Sequence, residues 1–204
     1  VIEDACQAFG LEINHQPAGT LGALGILSFH ATKCLTTGEG GMLIATDPAL
    51  LKRARALTKS AGVDNAAGAT TMTDLQAALG LSQLDRYPLF LDRRRRMFGA
   101  YHEAVGQLKT VRPGYRGEPA FLFRYTLRAH QGFESAHLAF ASQGVQIRRG
   151  VDELLHRQLG LNDRDFSGAA ELFEHVISLP FHPSLTEQEQ ALVVRAMQGV
   201  FGGT

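Results

Sequence analysis

The chain has 204 residues, 45% hydrophobic and 20% charged, which fits one large or two small domains and excludes a disordered, collagen-like or coiled-coil chain. Twenty Lys and Arg balance twenty Asp and Glu, so no basic surplus points to nucleic acid or to an anionic membrane surface. The two cysteines, Cys6 and Cys34, are too few and too far apart for a disulfide framework or a zinc knuckle, and no apolar run approaches the roughly 18 residues of a membrane span; a cytoplasmic protein with neither a nucleic-acid nor a membrane partner is expected.

Val1-Ile2-Glu3-Asp4 reads as the end of a buried strand. No Met or leader precedes it, so the chain is expected to be the back part of something longer. Residues 14–25 carry Pro17, Gly19, Gly22 and Gly25 and read as turns. Gly25–His30 is an apolar strand, Thr36–Gly41 a tight turn and Met42–Thr46 the next strand. Asp47 caps a helix with Pro48 at its first position, running to about Lys59, and Ala61–Thr71 is a loop. From Thr73 the spacing of Leu75, Leu79, Leu81 and Leu84 predicts a helix that Pro88 should break or kink, with a second helical stretch to about Leu108. A domain boundary is expected near Pro88–Arg93, dividing the chain into 1–90 and 91–204.

Beyond it, Arg112–Pro119 reads as a connection, Ala120–Arg128 as a strand and Phe133–Gln143 as a helix ended by Gly144. Val145–Arg148 and Val176–Leu179 are further strands. Thr186-Glu187-Gln188-Glu189 is a capping box opening a last helix. The alternation of strands and helices indicates α/β organisation in the first part and α+β in the second.

The segment with most chemistry is Ser28-Phe29-His30-Ala31-Thr32-Lys33 followed by Thr36-Thr37-Gly38-Glu39-Gly40-Gly41. A lysine between a buried strand and a glycine turn reads either as a nucleophilic amine or as a strand-end lysine snorkelling to solvent. Asp4, at the carboxyl end of its strand, stands where open α/β sheets place functional groups, and equally where a helix cap would stand. Ser28 could donate to a phosphate or simply pack. Arg93-Arg94-Arg95-Arg96 reads as a solvated helix face. Phe121, Phe123 and Tyr125 read as a half-buried strand. The histidines, His130 and His137 among them, show no metal-ligand spacing, so no metal is expected.

Taken together, Val1-Ile2-Glu3-Asp4-Ala5-Cys6-Gln7-Ala8, Gly19-Thr20-Leu21-Gly22, Ser28 to Lys33, Thr36 to Gly41, Leu75-Gln76-Ala77-Ala78-Leu79-Gly80, Gln83-Leu84 and Ser178-Leu179-Pro180-Phe181-His182-Pro183 resemble the DegT/DnrJ/EryC1/StrS family of PLP-dependent sugar aminotransferases. The resemblance implies part of the fold type I large domain, a mixed and mostly parallel α/β sheet, followed by a smaller α+β domain, and about the C-terminal half of a family member. It implies pyridoxal 5'-phosphate as cofactor, Lys33 as the Schiff-base lysine, Asp4 on the pyridine nitrogen, Gln7 beside the phenolic oxygen and Ser28 on the phosphate. His30 is then a support for the lysine.

The resemblance also marks departures. The family's Asn-Tyr-Arg stretch is Ala69-Thr70-Thr71-Met72 here, its asparagine after the lysine is Cys34, and its aromatic-Pro-Leu-His stretch is Val151 to His156 without the aromatic or the proline. The activity implied is transamination of a nucleotide-linked keto-sugar with glutamate as amino donor, in a homodimer or with a separate N-terminal chain. The alternative is a truncated, non-catalytic homologue acting as a folding or dimerisation piece. A related sugar dehydratase would carry histidine in place of Lys33.

Overall fold

A computed structural model describes residues 1–60, 71–113 and 123–203, and for 58–60 the backbone alone. The loop expected at Ala61–Thr71, including Thr70, and Phe121 therefore fall outside the described residues, apart from Thr71, which is exposed. The chain divides into two compact units, Val1–Phe90 and Leu91–Thr204.

In the first unit, β1 (Ile2–Asp4) is followed by the short strands β2 (Glu12–Ile13) and β3 (Gln16–Pro17), then β4 (Leu24–Ser28) and β5 (Gly41–Ile44). β1 lies parallel to β4, with Asp4 opposite Ile26, and β4 lies antiparallel to β5, with Ser28 opposite Gly41. The sheet is thus mixed, in the order β1-β4-β5. β2 and β3 form a hairpin that starts just before the segment read as turns and enters it, closed by Asn14 and His15 at φ 51° and 63°. Both central residues of such a two-residue turn adopt positive φ, which suits the right-handed twist of the strands. Glu3 ties the following segment to β1, its two carboxylate oxygens accepting from the backbone N–H of Gly19 (2.7 Å) and Leu21 (3.0 Å). The approach is close enough that a Cβ at residue 25 would stand 1.9 Å from the Gly19 carbonyl oxygen, so only glycine fits there.

Asp47 caps α1 (Pro48–Ser60), its carboxylate accepting from Ala49 N–H at 2.8 Å. α2 runs from Asp74 to Gly106 and crosses the division between the units. Thr73 and Gln76 close its start reciprocally: Gln76 N–H donates to the Thr73 hydroxyl and Thr73 N–H to the Gln76 side chain. Of the break or kink expected at Pro88, the break does not occur: the helix runs continuously through it. Proline removes one N–H and crowds the preceding turn, but buried anchors hold the helix on either side. The Tyr87 hydroxyl donates to the Phe9 carbonyl at 2.5 Å in the first unit. In the second, Tyr101 is fully buried and its hydroxyl donates to the Pro180 carbonyl at 3.0 Å.

The second unit holds a four-stranded antiparallel sheet. Its strands are β6 (Val111–Pro113), β7 (Tyr125–Ala129), β8 (Arg148–Arg149) and β9 (Val176–Leu179), in the order β6-β7-β9-β8. Its helices are α3 (Phe133–Ala141), α4 (Leu155–Gln158), a 3-10 turn (Asp163–Phe166), α5 (Ser167–His175) and α6 (Glu187–Phe201). The core gathers Met97, Tyr101, Tyr125, Leu127, Phe140, Ile177, Met197 and Phe201, each at most 1% exposed. β9 and the Thr186 capping box stand where the sequence places them. β6 replaces part of the expected connection at Arg112–Pro119. The strand expected at Val145–Arg148 pairs only at Arg148 and Arg149, although Val145 and Ile147 are buried. Neither α4 nor α5 is expected from the sequence: α4 has only four residues, too few for a periodic signal, and α5, unlike α3, is not followed by a glycine stop.

The arginine run is only partly a solvated face. Arg93, Arg95 and Arg96 are exposed, but Arg94 is 4% exposed and its guanidinium donates to the carbonyls of Phe181 (3.0 Å) and Phe123 (3.2 Å). No described helix is long and apolar enough to cross a membrane.

Candidate active site

The residues implicated by the sequence lie in the first unit, where β1 and β4 end. A parallel pair brings both carboxyl ends to one edge of the sheet, the edge where open α/β sheets bind ligands. Asp4 is the last residue of β1 and Ser28 the last of β4. Lys33 follows in the loop, its N–H donating to the His30 carbonyl at 2.9 Å.

Asp4 accepts from Cys6 N–H at 3.0 Å. Hydrogen bonding from Cys6 holds its carboxyl below the ordinary range, and the Lys33 ammonium acts in the same direction. Asp4 is therefore an ionised carboxylate within the field of Lys33. The Cys6 thiol is pushed up by burial and by Asp4. Gln7 is exposed in the turn after β1, closed by Ala8 N–H on the Ala5 carbonyl at 2.9 Å. Ser28 is half-buried and its hydroxyl oxygen lies 3.4 Å from His30 N–H.

His30 is held within its own loop. Its Nδ1 accepts from Thr32 N–H at 3.3 Å, and its Nε2 lies 3.6 Å from the Glu39 carboxylate. The rest of the loop is secured by α2. Gln83 accepts from Thr36 N–H at 3.1 Å, and Gln76 donates to the Glu39 carbonyl at 3.1 Å. A Cβ on Gly80 would stand 2.9 Å from the Thr37 methyl, so the missing side chain lets the helix approach. Tyr87 packs edge-on against Phe9, and Phe9 against Phe29. Gln76, Gly80, Gln83 and Tyr87 follow one another at intervals of four, three and four residues, which places them on one helical face. In the sequence Gln76, Gly80 and Gln83 stand only as parts of the resemblance, and their spacing is the signal that they share the face that holds the lysine loop.

In the second unit His156, from the stretch that replaces the family's aromatic-Pro-Leu-His, is 6% exposed. Its Nε2 lies 2.9 Å from the Asp163 carboxylate and its ring stacks on Phe166 at 4.6 Å. Arg157 donates to both oxygens of Asp163, at 3.0 and 2.8 Å. These bonds, that of Arg157 first, lower the Asp163 carboxyl to about 2. Among the described residues no group of three or more His, Cys, Asp or Glu side chains could hold a metal ion.

The donor set at the end of the first sheet suits a phosphorylated pyridine aldehyde. It offers an amine for the carbonyl carbon, a carboxylate ionised in place for a protonated ring nitrogen, and a hydroxyl for the phosphate. Comparison with known proteins points the same way. The model of the DegT/DnrJ/EryC1/StrS aminotransferase family matches residues 1–198. GDP-perosamine synthase from Caulobacter vibrioides is 29% identical over 221 residues, covering 98% of this chain and 58% of its own length. The dTDP-4-dehydro-2,3,6-trideoxy-D-glucose 4-aminotransferase of Saccharopolyspora spinosa is 28% identical over 233 residues, covering 97% of this chain and 57% of its own. The crystal structure of the aminotransferase TlmJ from Streptoalloteichus hindustanus superposes with a TM-score of 0.82 at 26% identity, over 98% of this chain and 57% of that one. The chain spans 56 to 60% of the length of two curated relatives from Bacillus subtilis that it matches. The fold is that of the fold type I PLP-dependent aminotransferases, and the chain belongs to the DegT/DnrJ/EryC1/StrS aminotransferase family.

Proposed function

We propose that this chain is the lysine-bearing part of a PLP-dependent aminotransferase acting on a nucleotide-linked keto-sugar, with glutamate as amino donor. The observation that carries the reading is the placement of Asp4 and Lys33 in one charge field at the carboxyl ends of β1 and β4. The sugar class is supported by the names of relatives, among them GDP-perosamine synthase and a UDP-N-acetyl-3-dehydro-alpha-D-glucosamine 3-aminotransferase from Acidithiobacillus ferrooxidans.

When bound, pyridoxal phosphate supplies an electron sink for the carbon that loses or gains the amino group. The chain's own residues do the rest. Asp4, kept ionised by Cys6 and Lys33, holds a proton on the pyridine nitrogen. Lys33 provides the amine that anchors the cofactor, then carries the proton to and from the substrate carbon bearing nitrogen. Ser28 donates to the phosphate, and Gln7 orients the ring from beside its phenolic oxygen. The bonds from Gln76 and Gln83 keep the lysine loop in place, so the amine is positioned before substrate arrives. Assembly as a homodimer, or with a separate N-terminal chain, belongs to the same proposal. The exposed apolar residues Ile2, Ile26, Met42 and Leu43 on β1, β4 and β5 support it.

Borohydride reduction in the presence of pyridoxal phosphate, followed by peptide mapping, tests the reading. A pyridoxyl group on Lys33, and none on Lys52, Lys59 or Lys109, is expected. A label spread over other lysines overturns the assignment and leaves the non-catalytic piece as the better account.

A further inference from the structure

A cavity of about 360 Å³ in the second unit is lined by Arg112, Arg128, His130, Glu171 and His175. None of these residues belongs to the Asp4–Lys33 cluster. Arg112 comes from β6, Arg128 from β7, and His130 from the turn after β7. Glu171 and His175 are four residues apart on α5 and so share a face.

The register makes this collection unusual. Arg112 stands directly opposite Arg128 across the β6–β7 ladder. Like charges facing each other across two strands are destabilising. Glu171 compensates Arg128 by a close ion pair. Among the described residues no carboxylate lies within ion-pair reach of Arg112. His175 uses Nδ1–H to donate to the Ala129 carbonyl at 3.0 Å, so its Nε2 is the ring nitrogen left for a ligand. One carboxylate thus faces two guanidiniums and two imidazoles, in a chain whose formal net charge is zero.

We propose that this cavity is an accessory binding site for the phosphoryl group of a small metabolite. The planar fork of a guanidinium matches phosphate oxygens two at a time, and a ligand anion between Arg112 and Arg128 removes the repulsion that the register creates. The volume exceeds what a bare phosphate fills and lies in the range of small-molecule sites, so the phosphoryl group arrives on a carrier about the size of a sugar. The proposal stands apart from the cofactor reading, since it uses other residues.

Isothermal titration calorimetry on the whole chain, at constant ionic strength, compares glucose 1-phosphate, inorganic phosphate and citrate. Glucose 1-phosphate is expected to bind with a dissociation constant of about 1 mM or tighter, more tightly than the other two. Arg112→Gln is expected to weaken it about tenfold or more, because a charge-assisted pair is lost. His130→Gln provides a second, milder variant, and thermal melting checks that both remain folded. Ser28→Ala, which alters the proposed cofactor phosphate site, is expected to leave this affinity unchanged. Absence of binding, equal binding of citrate, wild-type affinity in both cavity variants, or loss of binding in Ser28→Ala overturns the proposal.

Discussion

The two units solve the problem of burial differently. In Leu91–Thr204 a four-stranded sheet and its helices enclose aromatic and aliphatic side chains almost completely, as Tyr101, Tyr125, Phe140 and Phe201 show. In Val1–Phe90 the described residues bury Ala5, Ala18, Leu27, Phe29, Leu35 and Tyr87, while Ile2, Ile26, Met42 and Leu43 of the sheet stay exposed. The first unit instead gathers polar ties: the Glu3 carboxylate on two backbone N–H groups, and Gln76 and Gln83 on the lysine loop. Hydrophobic area holds the second unit together, whereas directional bonds hold a site in shape in the first. Substitutions in the two units should therefore fail in different ways.

The largest expected effect is functional and lies in the first unit. On the proposed function, Lys33→Ala should lower transamination by the assembled enzyme by more than about 10⁴-fold, because it would remove an anchoring amine together with a proton carrier that by itself is worth 10²–10⁴. Its melting temperature should stay near that of the parent protein. A large drop in melting temperature would show that Lys33 supports the fold and would erase the contrast.

The next effect is on stability. Phe140→Ala, in the closed core, should cost about 3–5 kcal/mol in urea unfolding. Ile26→Ala, at 39% exposure, should change stability by about 0.5 kcal/mol or less in the chain alone, without the partner proposed to cover that face. If Ile26→Ala instead costs as much as a core truncation, the exposed face of the first sheet is covered in solution, and sedimentation of the two proteins would show by what.

Smaller still is Thr186→Ala. The Thr186 hydroxyl accepts from Glu189 N–H at 3.2 Å while the Glu189 carboxylate accepts from Thr186 N–H at 2.8 Å. Loss of this box should cost about 1 kcal/mol, seen as a modest fall in the second unit's melting temperature. The smallest effect is confined to acid. The Asp163 carboxyl is lowered from 3.8 to about 2 in the folded chain. A depressed carboxylate stabilises the fold above its unfolded value, and that contribution disappears as pH falls from about 4 to about 2. Asp163→Asn should flatten this part of the acid-unfolding profile, followed by the ring signals of His156 and Phe166.

The sequence by itself determined what local chemistry decides within a turn or two. The Asp47-Pro48 helix start, the strand at Val176–Leu179 and the Thr186–Glu189 box are complete within a few neighbouring residues. Family membership was legible for a related reason, since its motifs are short runs whose order along the chain needs no folding to read. The candidate site residues Asp4, Gln7, Ser28 and Lys33 rest on that resemblance, because spacing alone leaves Lys33 and Asp4 open between functional and bland roles. Only the tertiary structure decided what depends on partners far along the chain. Gln76 and Gln83 act on residues 37 and 47 positions away. Pro88 stays helical and Arg94 is buried because Phe9, Pro180 and Phe181 meet that helix. Arg112 faces Arg128 through a strand register that no local pattern encodes. Local propensity is worth about 1 kcal/mol or less per ordinary residue, whereas burying one large side chain is worth several times that, so packing prevails wherever the two disagree.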